Sequence, residues 1–215
     1  MASFDPDCRA CPRLAAFLDE VAESFPEYHA RPVAPFGDPQ ARLLIIGLAP
    51  GKHGANATGR PFTGDYAGIL LYRTLHKFGF ASAPESLHAD DGLELTDCRI
   101  TNAVKCLPPQ NKPVGGEIRQ CNGFLAEEIR GLPDRAVILA LGKIAHDAVL
   151  RARGLKLSAH PFGHGRTHDL DNRLLLDSYH CSRYNTQTRR LTQSMFEEVF
   201  QIAKTAMAER HDHHV

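Results

Sequence analysis

The sequence predicts an α/β fold, a mostly parallel sheet of four strands with helices on both faces, and three observations predict it. Four short, largely apolar runs, 42–47, 98–104, 136–141 and 173–179, have the length and continuity of strands buried on both faces. Each run stops at glycine or polar residues and opens into a loop rich in Gly, Pro or polar side chains. Each loop then leads to a segment with apolar residues at helical spacing. That alternation makes a three-layer α/β/α arrangement whose parallel strand ends share one edge, where such folds build their sites.

Composition bounds the reading. The 215 residues suffice for one domain with a real core, read as 1–208, with 209–215 as a flexible C-terminal tail. Hydrophobic content of 43% and charged content of 23% are those of a globular protein. No apolar run reaches membrane-spanning length, and 1–7 lacks the basic and apolar regions of a signal peptide, so a cytoplasmic protein without membrane contact is expected. Lys and Arg number 25 against 25 Asp and Glu, which argues against a cationic coat and leaves room for a local basic rim. The six cysteines of such a chain point to metal or redox chemistry rather than a disulfide framework.

Taken in order, Leu14, Phe17, Leu18 and Val21 place a helix over Pro12–Ser24, followed by a proline-rich connection to Pro39. The first strand ends at Gly47. The stretch from Gly47 to Asp65, G-L-A-P-G-K-H-G-A-N-A-T-G-R-P-F-T-G-D, is too rich in Gly and Pro for helix or strand, and it has neither of the common phosphate-loop spacings. Asp65 stands at the N-cap of a helix running to Phe78. A second loop, Lys105 to Pro113, precedes a helix over Gly116–Arg130. The third strand ends at Gly142-Lys143, with a helix to Arg153. Residues 158–168 hold three His and two Gly and read as loop or a short edge strand. The fourth strand ends at His180; the loop Cys181–Thr188 leads to a last helix over Leu191–Ala208.

With all strand ends on one edge, Gly47, Gly51, Asn56, Phe62, Asp65, Asn102 and His180 become neighbours although far apart in sequence. Glycines let backbone approach a ligand closely. Asn offers a donor and an acceptor, which suits reading an amide-like edge. Phe62 suits stacking on a planar ring, Asp65 can orient or deprotonate water, and His180 can donate to a developing anion. Such a set suits hydrolysis at a planar, oxygen-bearing heterocycle. Taken singly, Asp65 could be only a cap, Phe62 a core plug, His180 a strand-end bond to a carbonyl and Asn102 a turn stabiliser. Separately, Cys8 and Cys11 form C-x-x-C, with Cys106 and Cys121 in and after the second loop. Four such cysteines suit zinc, a [4Fe–4S] cluster or a redox pair, and their spacing does not choose. Cys98 reads as buried and inert, and the role of Cys181 is open.

Three motifs resemble those of the uracil-DNA glycosylases, most closely family 5 (type b) of bacteria and archaea. They are the stretch Gly47 to Asp65, T-N-A-V-K-C-L-P-P-Q-N-K-P at Thr101 to Pro113, and H-C-S-R-Y-N-T-Q-T at His180 to Thr188. The resemblance implies removal of uracil, and of other deaminated bases such as hypoxanthine, from double-stranded DNA by base flipping and water attack, leaving an abasic site. A monomer in the cytosol, near the nucleoid, is expected. The resemblance makes Asp65 the water-handling residue, since Ala49 falls where other families of the superfamily carry an acidic or amide residue. It has Phe62 stack on the flipped base, Asn102 read its edge and His180 stabilise it as it leaves. On the same reading Arg183 and Tyr184 are candidates to fill the gap in the DNA helix, and Lys105, Lys112, Arg189 and Arg190 are expected to touch phosphates. It also implies a structural [4Fe–4S] cluster on Cys8, Cys11, Cys106 and Cys121, with zinc as the alternative. Cys181 stands where related sequences often carry Pro. Two other readings compete: a non-catalytic nucleotide-binding domain and an iron–sulfur redox domain.

Overall fold

The structure, a computed structural model, describes residues 4–212. One six-stranded sheet forms the middle layer, in the order β1-β3-β2-β4-β6-β5. Its strands are β1 (Phe36–Gly37), β2 (Leu43–Gly47), β3 (Cys98–Asn102), β4 (Val137–Leu141), β5 (Thr167–Leu170) and β6 (Arg173–Ser178). The four expected strands are the parallel ones, β2, β3, β4 and β6. The sheet is two strands wider than expected because short antiparallel edges, β1 on β3 and β5 on β6, flank it.

The helices are α1 (Pro12–Ser24), α2 (Ala55–Thr58), α3 (Tyr66–Lys77), α4 (Gly115–Arg130), α5 (Lys143–Ala152), α6 (Arg183–Gln187) and α7 (Gln193–Asp212). Side chains alternate along each strand, so the sheet feeds two cores. Leu44, Ile46, Ile138 and Leu175 pack with Leu14 of α1, Leu125 of α4 and Val149 of α5. Leu43, Ile45, Leu139 and Leu176 pack with Leu71 and Leu75 of α3 and with Phe196 and Phe200 of α7. Each fully buried Leu or Ile of this kind contributes about 2 kcal/mol.

Three expectations are corrected. The glycine-rich stretch holds one helical turn, α2, where Ala-Asn-Ala-Thr supplies helix-compatible residues between Gly54 and Gly59. The fourth loop holds α6, started by Ser182, whose Oγ accepts from Asn185 N. The last helix continues through Asp212, across most of the expected tail; residues 213–215 lie outside those described.

Topology places the site. The crossover through α3 carries the chain from β2 to β3 on one face, and α4 carries it back past β2 to β4 on the other. Loops leaving β2 and β4 therefore diverge and open a crevice at the strand ends.

Candidate active site

A pocket of 430 Å³ fills that crevice, and all four parallel strands contribute. The β2 loop gives Ala49, Gly51, Phe62 and Asp65; the β3 loop gives Asn102 and Asn111; the β4 end gives Gly142 and Lys143; the β6 end gives His180 and Ser182. The volume suits one small planar group.

Gly47 pairs in register with Asn102 across β2 and β3. A Cβ on Gly47 would collide with the Asn102 amide oxygen and come within 2.6 Å of Phe62 Cζ, so only glycine fits beneath them. Phe62 is held at φ 55°, a left-handed conformation that costs a non-glycine residue about 1 kcal/mol or more. Its carbonyl packs against the α-carbon of Gly68, in the first turn of α3. Phe62 is 5% exposed, belongs to the α3/α7 core and also lines the pocket, so one residue both plugs the core and faces the site. The His180 ring lies 5.9 Å from it at an interplanar angle of 30°.

Asp65 likewise has two attachments. Oδ1 accepts from Gly68 N at 2.7 Å and caps α3. A Cβ on Gly54 would lie 2.8 Å from Oδ2, so that glycine makes room for the carboxylate. Burial pushes the Asp65 pKa up, partly offset by the N–H groups of Gly68 and Ala67. His180 is half-buried, and its Nδ1 has no hydrogen-bond partner among the described residues. Burial lowers its pKa to about 4, so the imidazole is neutral at neutral pH. Asn185 Nδ2 donates to the His180 carbonyl at 2.8 Å. Asn102 is 4% exposed. Asn56, expected nearby, is fully buried in α2 and is not a lining residue.

Arg183 and Tyr184 stand on α6 at the rim rather than in the pocket. The Arg183 guanidinium lies over the Tyr66 ring, 5.0 Å from its centroid, while Tyr184 is 71% exposed. Lys112, Arg189 and Arg190 are exposed. Lys105 is not: it is 1% exposed, its Nζ 2.6 Å from Glu128 and 2.5 Å from Thr101 Oγ1, and so cannot meet a phosphate. The loop carries its side chain inward, where the buried charge is paired. Sequence reasoning missed Asn111, Lys143 and Tyr66. A signal existed for Asn111, since Asn tolerates the left-handed φ of 56° found there.

A second cavity, 110 Å³, is lined by Cys8, Cys11, Cys106 and Cys121. Burial is the first cause raising Cys106 to about 12 and Cys121 to about 11, and the other cysteines add to it. Lys105 N donates to Cys121 Sγ at 3.3 Å. Four thiols lining one enclosed cavity suit a metal centre, and thiolate sets of this kind hold zinc or an iron–sulfur cluster. Cys98 and Cys181 are both fully buried away from it.

The Uracil DNA glycosylase superfamily model matches residues 34–204. The chain belongs to the uracil-DNA glycosylase superfamily. The span matched to the superfamily holds every pocket residue together with Cys106 and Cys121; Cys8 and Cys11 precede it. Among relatives, the type-5 uracil-DNA glycosylase of Thermus thermophilus is 53% identical over 92% of this chain and 92% of its own. That of Mycobacterium tuberculosis is 44% identical over 92% of this chain and 77% of its own. A solved structure, SMUG2 of Pedobacter heparinus, matches at TM-score 0.48 and 14% identity, covering 90% of this chain and 85% of that one. Among the described residues of this superfamily member, no helix is long and apolar enough to cross a membrane.

Proposed function

We propose that this chain, a DNA repair glycosylase, removes uracil from DNA in the pocket at the strand ends, with Asp65 handling water and His180 stabilising the departing base. The observation that carries the assignment of roles is the convergence of Phe62, Asp65, Asn102 and His180, from three loops, on one crevice. A base inside a duplex is out of reach, so the nucleotide flips out at a cost of a few kcal/mol, least where the base is mispaired. Phe62 stacks on the flipped ring above Gly47, and the Asn102 amide pairs with its edge. Asp65, with its raised pKa, is a stronger base toward water than an exposed carboxylate. The sugar passes through an oxocarbenium-like state and uracil leaves as an anion. Neutral His180 donates a hydrogen bond to that anion, in a site shielded from water. Exposed Tyr184 fills the space the base vacates; Lys112, Arg189 and Arg190 meet phosphates of a double-stranded substrate. The protein acts as a monomer, and other deaminated bases with a similar edge, such as hypoxanthine, enter the same pocket.

The four cysteines hold a [4Fe–4S] cluster, a reading supported by their number and their enclosure in one cavity. Its contribution is structural, joining the start of α1 to the β3 loop and α4. Arg13 Nε, 2.7 Å from Glu117 Oε1, ties the same two helices. Non-catalytic and electron-transfer readings give Asp65 and His180 no task.

The test is incubation with duplexes carrying one U opposite G, followed by alkaline cleavage at abasic sites. Strand cuts should disappear in Asp65→Ala and weaken in His180→Ala. Cuts of undiminished rate in both variants would move the chemistry elsewhere.

A further inference from the structure

Residues 158–168 carry three histidines that none of this chemistry uses. Their anchor is Asp177 of β6, 0% exposed. Its Oδ1 accepts from His146 Nδ1 of α5 at 2.7 Å; its Oδ2 accepts from His168 Nε2 of β5 at 3.2 Å and from Gly163 N at 3.2 Å. His146 Nε2 donates to the His160 carbonyl at 2.8 Å. With an acceptor at each ring nitrogen, the site favours the imidazolium form of His146, paired with Asp177. Burial opposes that charge, but Asp177 outweighs it and the His146 pKa is raised. Residues 160–168 are thereby fastened to α5, β5 and β6 at once.

The fastened segment presents His164 to the end of β6. His164 Nδ1 accepts from Tyr179 N at 3.0 Å, and its ring stacks on the Tyr179 ring at 4.9 Å and 11°. The bond requires a lone pair on Nδ1, hence the tautomer with hydrogen on Nε2. Arg190 lies over the Tyr179 ring, 4.7 Å from its centroid. β6 ends at Ser178, so Tyr179 has left the sheet ladder, and the next residue is His180.

We infer that His164 is a positioning residue for His180, its Nδ1 standing in for the strand partner that Tyr179 lacks. The inference rests on His180 acting in base excision. Without this bond the peptide before His180 loses its fixed plane, and the imidazole loses its register against Phe62. A misplacement of about 1 Å can slow an enzyme roughly 100-fold.

The experiment is single-turnover uracil release by wild type, His164→Leu, His164→Asn and His180→Ala, with DNA affinity and the NMR ring resonances of His180 recorded alongside. Asn places a non-titrating Oδ1 where Nδ1 lies; Leu places nothing that accepts. His164→Leu should release uracil about tenfold more slowly at unchanged DNA affinity, with the His180 resonances shifted. His164→Asn should recover most of the rate and the wild-type resonances. A folded His164→Leu at wild-type rate, or His164→Asn as slow as His164→Leu, overturns the inference. Should His164→Leu fail to fold, His164→Asn decides: near wild-type rate and resonances support it, a tenfold loss overturns it. His180→Ala separates the two readings. If it is slow while His164→Leu is not, only the role of His164 falls; if it is as fast as wild type, the role of His180 falls, and that of His164 with it.

Discussion

Gly47 lies directly beneath Phe62, so close that a single added carbon would come within 2.6 Å of the ring. The same carbon would collide with the Asn102 amide. Gly47→Ala should displace Phe62 and Asn102 together. We expect kcat/KM to fall about 100-fold, with stability lowered by about 1–3 kcal/mol from overpacking. Steady-state kinetics and thermal melts check both numbers.

Asp65 combines the α3 cap with the water-handling role proposed for it, and two substitutions separate them. Asp65→Asn keeps an oxygen for Gly68 N but cannot take a proton. Its turnover should fall roughly 10²–10⁴-fold, with DNA affinity and melting temperature nearly unchanged. Asp65→Ala should add a loss of about 1 kcal/mol from the helix N-terminus. The wild-type rate should rise with pH through a pKa above the ordinary 3.8, because the charged form is the active one. Loss of DNA affinity equal to the loss of rate would remove Asp65 from the chemistry.

His180 makes stability depend on acid. Its pKa is about 4 in the folded chain against 6.5 in the open one, so between those values the unfolded chain binds more protons. The contribution is complete above pH 6.5 and disappears as pH falls toward 4, a change of roughly 3 kcal/mol. His146 has the opposite sign: its raised pKa stabilises below 6.5, and that contribution is lost as pH rises through the folded value. Urea melts of wild type and His180→Gln should diverge in the acid window and run parallel above it.

Metal analysis of protein purified without oxygen should find about four irons per chain and no stoichiometric zinc. Cys106→Ser should lose the iron and lower the melting temperature. Because Lys105 N bonds Cys121 and Lys105 Nζ bonds Thr101, beside Asn102, discrimination among bases should also loosen. One zinc per chain in active protein would replace the cluster with the smaller ion.

Much of this was legible in the sequence. The parallel strands announced themselves because strands buried on both faces are continuous apolar runs, as Leu43 to Ile46 shows. Their shared edge followed from parallel order alone, which brought Asn102, Phe62 and His180 together before any coordinates. The edge strands were faint since two or four residues carry little periodicity. Lys105 misled because its loop is polar in composition, and only the packed structure reveals Glu128 beside it. The histidines from His160 to His168 carried no local pattern; their partner Asp177 lies in β6, and only pairing of β5 with β6 makes the link.

The strand order has a consequence for synthesis. The pocket draws on β2, β3, β4 and β6, and β6 is the last strand of the chain to be made. No nascent fragment ending before His180 contains the whole pocket lining. The contacts that build the pocket are also non-local, and such contacts form late and cooperatively. A ribosome-bound chain should therefore be inert toward DNA until nearly all of it has emerged. Truncation anywhere upstream of β6 should yield an inactive polypeptide rather than a weakened or indiscriminate nuclease-like hazard.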